Sequence, residues 1–244
     1  MRLQSAIFDM DGTLLDSMPT WRELGPTFLK EAGISATPEQ DRMLHILADC
    51  DVIPYLRKVC GLPWSQQEII DQIIQRMEIF YSSQVRPKQG LEKFLSANGI
   101  GAFADTFQDL HGLKQLPGIA AQNLMGKGIG FGPEGDYKIS ALSAVLKTAG
   151  IDHYFRGIVT SADAGNHKSE SADIYEMAMR RLQSNKRDTV VFEDALHAIR
   201  TAKAAGFRVA GVYEATAEQD QPEIQRLCDY YIRSYEELVQ SETF

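Results

Sequence analysis

The chain has 244 residues, of which 44% are hydrophobic, 24% charged and 9% aromatic, the proportions of a folded globular protein and not of a disordered or fibrous one. Lys and Arg number 25 against 33 Asp and Glu, a formal charge of −8; with the acids scattered along the chain, no nucleic-acid partner is expected. The longest apolar runs are strand-sized, far short of the roughly 20 residues that cross a bilayer. The amino terminus also lacks the charged and apolar regions of a secretion signal, so the expectation is a cytoplasmic protein without a membrane partner. Cys50, Cys60 and Cys228 form no close metal-ligand pair, and an odd count argues for reduced, structural thiols.

The first apolar run, Ala6-Ile7-Phe8, meets Asp9-Met10-Asp11-Gly12-Thr13, which reads as a buried strand ending at an acidic turn. From about Met18 to Ser83 the spacing is helical, with Trp21, Leu24 and Phe28 on one face and Ile69, Ile73 and Met77 on another. This predicts a helical insert over residues 18–83, whose aromatic stripe is chiefly its own core. Arg86-Pro87-Lys88-Gln89-Gly90 punctuates the chain, and a short helix restarts over Leu91 to Ala97.

From Tyr137 the alternation of βαβ units is plain. A helix through Ile139, Leu142, Val145 and Leu146 ends at Gly150, a strand runs from Gly157 to Thr160, and a further helix carries Ile174, Met177 and Leu182. Thr189-Val190-Val191-Phe192 reads as a parallel strand buried on both faces, ending at Glu193-Asp194. A helix through Leu196, Ile199, Ala202 and Ala205 then leads to strands at Arg208 to Val212 and Tyr230 to Ile232. The predicted fold is α/β: a doubly wound, Rossmann-like parallel sheet built from residues 1–17 and 84–244, with an inserted α-helical domain over 18–83.

The stretch from Asn98 to Asp136 breaks the pattern. It holds nine of the nineteen glycines and no sustained period, so ordering it is entropically expensive.

Residues two apart in a strand share a face, so Asp9 and Asp11 can aim both carboxylates at one small substrate, with Gly12 turning the backbone immediately afterwards. Crowded carboxylates call for a hard divalent cation, above all Mg²⁺, and Glu193 and Asp194 can complete its shell. Lys168 supplies positive charge, and Thr13 can orient a phosphoryl oxygen. The bland readings are a solvated turn for the first acids, a helix cap for Glu193-Asp194 and a surface position for Lys168.

The run Asp9 to Ser17 (Asp-Met-Asp-Gly-Thr-Leu-Leu-Asp-Ser), the downstream Lys168, and Val190 to Ile199 followed by Ala202 to Gly206 resemble the haloacid dehalogenase superfamily. Within it, the chain is most similar to the branch of phosphoglycolate phosphatases and β-phosphoglucomutases, whose helical cap follows the first motif. The resemblance covers about residues 3–96 and 137–238. It implies a Mg²⁺-dependent phosphohydrolase acting on a small phosphorylated metabolite, monomeric or weakly dimeric. Asp9 would be the nucleophile that becomes an aspartyl phosphate, Asp11 the general acid and base, and Lys168 the phosphate-binding lysine. Gly12 and Thr13 would also face the phosphate. Asp9, the Asp11 main-chain carbonyl and Asp194 would hold Mg²⁺, with Glu193 an additional ligand. A sugar-phosphate mutase is the first alternative.

Two departures from the family pattern stand out. The expected second motif, an apolar strand ending in Ser or Thr, is not found in the glycine-rich stretch; Thr106, after Ala102-Phe103-Ala104-Asp105, is a poor substitute. Lys168-Ser169-Glu170-Ser171 also lacks the usual prolines after the lysine. A catalytically impaired protein is therefore the second alternative.

Overall fold

The structure is a computed structural model that describes residues 5–46, 49–98, 101–106, 145–166 and 168–240. Six parallel strands form one sheet in the order β3-β2-β1-β4-β5-β6: β1 (Ser5–Phe8), β2 (Gly101–Thr106), β3 (Phe155–Thr160), β4 (Thr189–Glu193), β5 (Arg208–Val212) and β6 (Tyr230–Ile232). The order reverses between β1 and β4, so their carboxyl ends flank the switch point at which open α/β sheets bind ligands.

Alternation along the strands divides the core. Ala6 and Phe8 of β1, Val190 and Phe192 of β4, and Ala210 and Val212 of β5 pack in one cluster. Ile7, Val191 and Val209 point to the other. This is how a sheet covered on both faces reads as continuous apolar runs. On the first face, α5 (Leu91–Asn98) and α10 (Glu236–Gln240) pack together, and Phe8 stacks on Phe192 at 4.4 Å with Phe94 and Tyr235 around them. The opposite face is covered by α7 (Asp173–Arg181), α8 (Leu196–Ala204) and α9 (Gln221–Leu227), through Ile174, Tyr175, Ala178, Ile199, Ala202 and Ile224. Between β3 and α7 lies the short α6 (Ser161–Ala164).

The described residues between β1 and β2 are helical: α1 (Met18–Glu31), α2 (Pro38–Ile46), α3 (Asp49–Lys58), α4 (Gln66–Ser83), then α5. A full capping box starts α4, with the Glu68 amide donating to Ser65 Oγ and the Ser65 amide to Glu68 Oε2. Leu24 and Phe28 of α1 and Ile69 and Met77 of α4 are buried, as the helical spacing predicts, together with Leu29, Phe80 and Tyr81, while Ile73 is partly buried. Trp21, the first residue of the predicted stripe, is only partly buried and packs at the edge of that core.

The structure corrects the reading of residues 98–106. Gly101–Thr106 is a strand, β2, paired in parallel with β1 (Phe8 opposite Ala104) and with β3 (Thr106 opposite Thr160). Its small residues give almost no local strand signal. The slot between two neighbours that both present ladder groups decides its conformation, since β-propensity mostly measures context. A strand ending in Thr is thus present at the place where none was expected. The helix ending at Gly150 is seen in its last turn, with Gly150 at φ +76°. The remainder of that helix, residues 107–144 and His167 lie outside the described residues.

Candidate active site at the strand ends

Asp9 follows β1 directly, and its amide donates to the Phe192 carbonyl of β4 at 3.0 Å. The chain then turns tightly. The amides of Leu14 and Leu15 donate to the Met10 carbonyl, and Gly12, at φ +85°, donates to the Leu15 carbonyl. That turn aims Thr13 across the sheet, where its Oγ1 donates to Asp194 Oδ1 at 2.8 Å. Below it, the Tyr235 hydroxyl donates to the Thr13 carbonyl at 3.2 Å.

Lys168, in the turn before α7, is 1% exposed. Its ammonium donates to Asp9 Oδ1 and, at 2.5 Å, to Glu193 Oε1. Glu193 is fully engaged: Oε1 also accepts from the Tyr175 hydroxyl, and Oε2 accepts from the amides of Asp194 and Ala195. Neither acid caps α8, whose N-cap is Ala195 with no side-chain bond. The missing prolines after Lys168 therefore do not keep its side chain from the sheet end.

Carboxylate oxygens of Asp9, Glu193 and Asp194 lie within 4.8 Å of one another, and all three residues are buried. Among the described residues, the cation paired with these acids is the ammonium of Lys168, so acids outnumber it in a poorly solvated place. Burial first, and then the charge of Glu193, push the Asp194 carboxyl up to about 7, although Thr13 and Lys168 act in the opposite direction. Such a deficit is what a hard divalent cation cancels, and three carboxylates are the donor set such an ion prefers.

Asp11 stands apart from that cluster. Its Oδ1 accepts from Ser17 Oγ and from the Tyr81 hydroxyl, each at 2.6 Å. Ser17 is thereby drawn away from capping α1, where it makes no side-chain bond. Tyr81, on α4, was not singled out in the sequence; a contact across 70 residues leaves no local signal.

The structure thus links Asp9, Thr13, Lys168, Glu193 and Asp194 in one hydrogen-bonded cluster, and places the Asp11 carboxylate outside the group of three clustered acids. None of the described helices is long and apolar enough to cross a membrane.

Two family models match. Residues 136–212 match the model described as haloacid dehalogenase-like hydrolase, and residues 66–152 match the L-arabinose isomerase central domain. The L-arabinose isomerase of Aeromonas hydrophila is 44% identical over 97 residues, which is 38% of this chain and 19% of that enzyme. L-arabinose isomerase 1 of Bacillus licheniformis is 56% identical over 64 residues, 26% of this chain and 13% of that enzyme. The chain therefore spans less than one fifth of the length of these curated relatives. The isomerase match includes the glycine-rich stretch and β2, so the run that interrupts the βαβ pattern is similar in sequence to part of a different family. It excludes Asp9, Lys168, Glu193 and Asp194.

Solved structures match along almost the whole chain. A Thermotoga maritima protein provisionally assigned as a beta-phosphoglucomutase superposes with a TM-score of 0.71 at 19% identity, over 97% of this chain and 96% of that one. A conserved haloacid dehalogenase-like protein of unknown function from Agrobacterium tumefaciens gives 0.68 at 20% identity, over 97% and 96%. CbbY from Rhodobacter sphaeroides, in complex with phosphate, gives 0.60 at 19% identity, again over 97% and 96%. Likeness at these identities shows the fold. Residues 136–212 thus match the haloacid dehalogenase-like hydrolase family within a chain that shares the fold of these proteins along nearly its whole length, and residues 66–152 match the L-arabinose isomerase central domain.

Proposed function

We propose that the protein is a Mg²⁺-dependent phosphohydrolase that cleaves a small phosphate monoester through an aspartyl-phosphate intermediate. The observation that carries this reading is the convergence of Asp9, Glu193 and Asp194 on one point, with Lys168 buried among them.

Asp9 is the nucleophile. A carboxylate oxygen attacks phosphorus, the bond to the leaving oxygen breaks, and Asp11 gives that oxygen its proton. Asp11 then takes a proton from water as the water oxygen attacks the aspartyl phosphate, which releases phosphate and restores Asp9. Lys168 sits on Asp9 and is placed to offset charge on the phosphoryl oxygens, and the buried Glu193 fixes its ammonium. Thr13 orients Asp194 through its hydroxyl, and its amide is the group of this turn we assign to the phosphoryl oxygens, the Gly12 amide being taken by the Leu15 carbonyl. Asp9, Asp194 and the Asp11 main-chain carbonyl would hold Mg²⁺; Glu193 lies within reach, with both its oxygens already hydrogen-bonded. The ion supplies positive charge that brings the phosphate dianion and the carboxylates together. β2, next to β1 in the sheet, ends at Thr106, and Thr106 is the residue we assign to the transferring phosphoryl group.

The helices of residues 18–83 serve as the cap, which excludes bulk water and selects the alcohol part of the substrate. The fold shared with a provisionally assigned beta-phosphoglucomutase supports a sugar-phosphate mutase as the second reading. Isomerisation of arabinose is not part of the proposal, because the isomerase-like segment is a small fraction of those enzymes and contributes none of the clustered acids.

The test is binding of beryllofluoride, a mimic of the aspartyl phosphate, in the presence of Mg²⁺, followed by phosphate release from a panel of monoesters. Tight binding that is abolished by Asp9→Asn, together with steady release, supports the hydrolase. Interconversion of sugar-phosphate isomers without release would favour the mutase, and absence of beryllofluoride binding would overturn both.

A further inference from the structure

The chain leaves the turn after β1 at Asp16 and comes back at Lys88, and the two passes are tied by main-chain bonds, from the Asp16 amide to the Arg86 carbonyl and from the Lys88 amide to the Leu14 carbonyl. Beside them, Asp16, Lys88, Val212, Tyr213, Glu214 and Arg233 help to line a cavity of about 260 Å³. That is a little under the roughly 300–1,000 Å³ of drug-sized sites, so the space suits a small metabolite. None of Asp9, Asp11, Lys168, Glu193 and Asp194 lines it. It is separate from the acid cluster.

The lining carries four charged side chains, and two of them cancel. Lys88 donates to Glu214 Oε2 at 2.5 Å, while Glu214 Oε1 accepts from the amide and the hydroxyl of Thr216, each at 3.1 Å. Glu214 is 2% exposed, and both its oxygens are taken. Asp16 and Arg233 are in a different condition. The Asp16 carboxylate comes to 3.8 Å from the Lys88 ammonium, beyond hydrogen-bond range, and among the described residues no donor bonds it. The Arg233 guanidinium lies over the Tyr213 ring, 5.1 Å from its centroid, and that ring is held in turn by the Tyr213 hydroxyl donating to Glu218 Oε2 at 2.9 Å. Stacking uses the face of a guanidinium and leaves its N–H edge open. Among the described residues no carboxylate pairs with that edge. Two opposite charges thus border one cavity without closing on each other.

We propose that this cavity binds a small zwitterion of the α-amino-acid type, with its carboxylate on the Arg233 guanidinium, its ammonium on the Asp16 carboxylate and its apolar side chain against Val212 and Tyr213. A planar guanidinium offers two parallel N–H donors to a carboxylate, and an ammonium needs an acceptor that is not already spent. The four charges of the lining sum to zero, so a ligand with both poles and no net charge matches them, whereas an anion or a cation alone satisfies one side chain and leaves the other facing it unpaired.

The test is a saturation-transfer NMR titration of the full chain with alanine, leucine and phenylalanine at millimolar concentration. Transfer from at least one is expected, and Arg233→Gln and Asp16→Asn should each weaken it by about tenfold or more. Both side chains are exposed, so both variants should melt with the parent and the loss is one of binding. The desamino and decarboxylated analogues of the amino acid that binds should each bind about tenfold more weakly than it does. Saturation with Mg²⁺ and beryllofluoride should leave the transfer unaltered; its loss would assign the signal to the acid cluster and overturn the proposal. Absence of transfer from all three amino acids overturns it, as does transfer that survives both substitutions. A desamino analogue that binds as tightly as the amino acid would make the cavity an anion site and overturn the zwitterion.

Discussion

A methyl group placed on the Gly12 α-carbon would overlap the Asp194 carboxylate and come within 3.0 Å of Met18 Cγ. Gly12 also sits at φ +85°, where a side chain costs about 1–2 kcal/mol. The glycine in the first motif therefore serves two ends, the turn after β1 and the approach of the β4 acid to the β1 acid. Gly12→Ala should displace Asp194 and weaken Mg²⁺ binding by about tenfold or more, with a modest loss of stability of the order just given. Calorimetric titration with Mg²⁺ and a denaturant melt check both parts; unchanged Mg²⁺ affinity would show that Asp194 has room to move.

Lys168 holds Asp9 and Glu193 apart from one another in charge although it touches both. Removing one partner of a buried ionic group leaves the remainder uncompensated, at about 3–5 kcal/mol. Lys168→Met should destabilise the metal-free protein on that scale, and added Mg²⁺ should restore more stability to the variant than to the parent, since the cation takes over part of the neutralisation. Lys168→Arg should not rescue turnover, because a planar guanidinium does not fit a slot shaped for a compact ammonium. Denaturant melts with and without Mg²⁺ measure the first effect; a loss below about 1 kcal/mol would mean that the two carboxylates reach water or a proton when the lysine is gone.

The ends of β1 and β4 are legible in the sequence because two physical signals coincide there: an apolar run that must be buried, and acids that cannot be buried unpaired. The same signal explains why Asp9, Glu193 and Asp194 were found together. By contrast, β2 is written in Gly101, Ala102 and Ala104, residues with little strand preference, and its conformation comes from β1 and β3 on either side. Its local sequence follows another family besides, so the family pattern gave no guide. Ser17 and Tyr81 illustrate a third case. Ser17 stands at a helix start and reads as a cap, yet its hydroxyl goes to Asp11. Tyr81 reads as one apolar position on an amphipathic helix, and only the approach of that helix to the sheet reveals the use of its hydroxyl.

Asp194 links stability, pH and metal. Burial and Glu193 raise its carboxyl to about 7 from an ordinary value of 3.8. Between those limits the native state keeps a proton that the unfolded chain has already released, so the native state binds more protons and its stability falls as pH rises through the window. Above about 7 this group adds no further loss. A cation competes with that proton, so Mg²⁺ affinity should climb from pH 5 to about 7 and then level off. Melting curves in chelator should show the decline with pH, and the gain from Mg²⁺ should be larger at pH 8 than at pH 5. A metal-dependent gain that is the same at both pH values would mean that Asp194 is ionised throughout or does not bind the ion.

Thr106 decides between two views of the isomerase-like segment. If β2 merely fills the sheet, its last residue is interchangeable and the proton-transfer and metal groups suffice for turnover. If its hydroxyl serves the transferring phosphoryl group, Thr106→Ala removes one preorganised donor, a loss of about a hundredfold in kcat. Thr106→Ser should recover most of that rate, while Thr106→Val, equal in shape, should not. The strand pairing of Thr106 with Thr160 uses main-chain groups that all three variants retain, so melting temperatures should stay close to the parent and the comparison isolates the hydroxyl. Equal rates in the Ala, Ser and Val proteins would assign β2 a structural part alone and place the phosphoryl donors entirely in the turn after β1 and in Lys168.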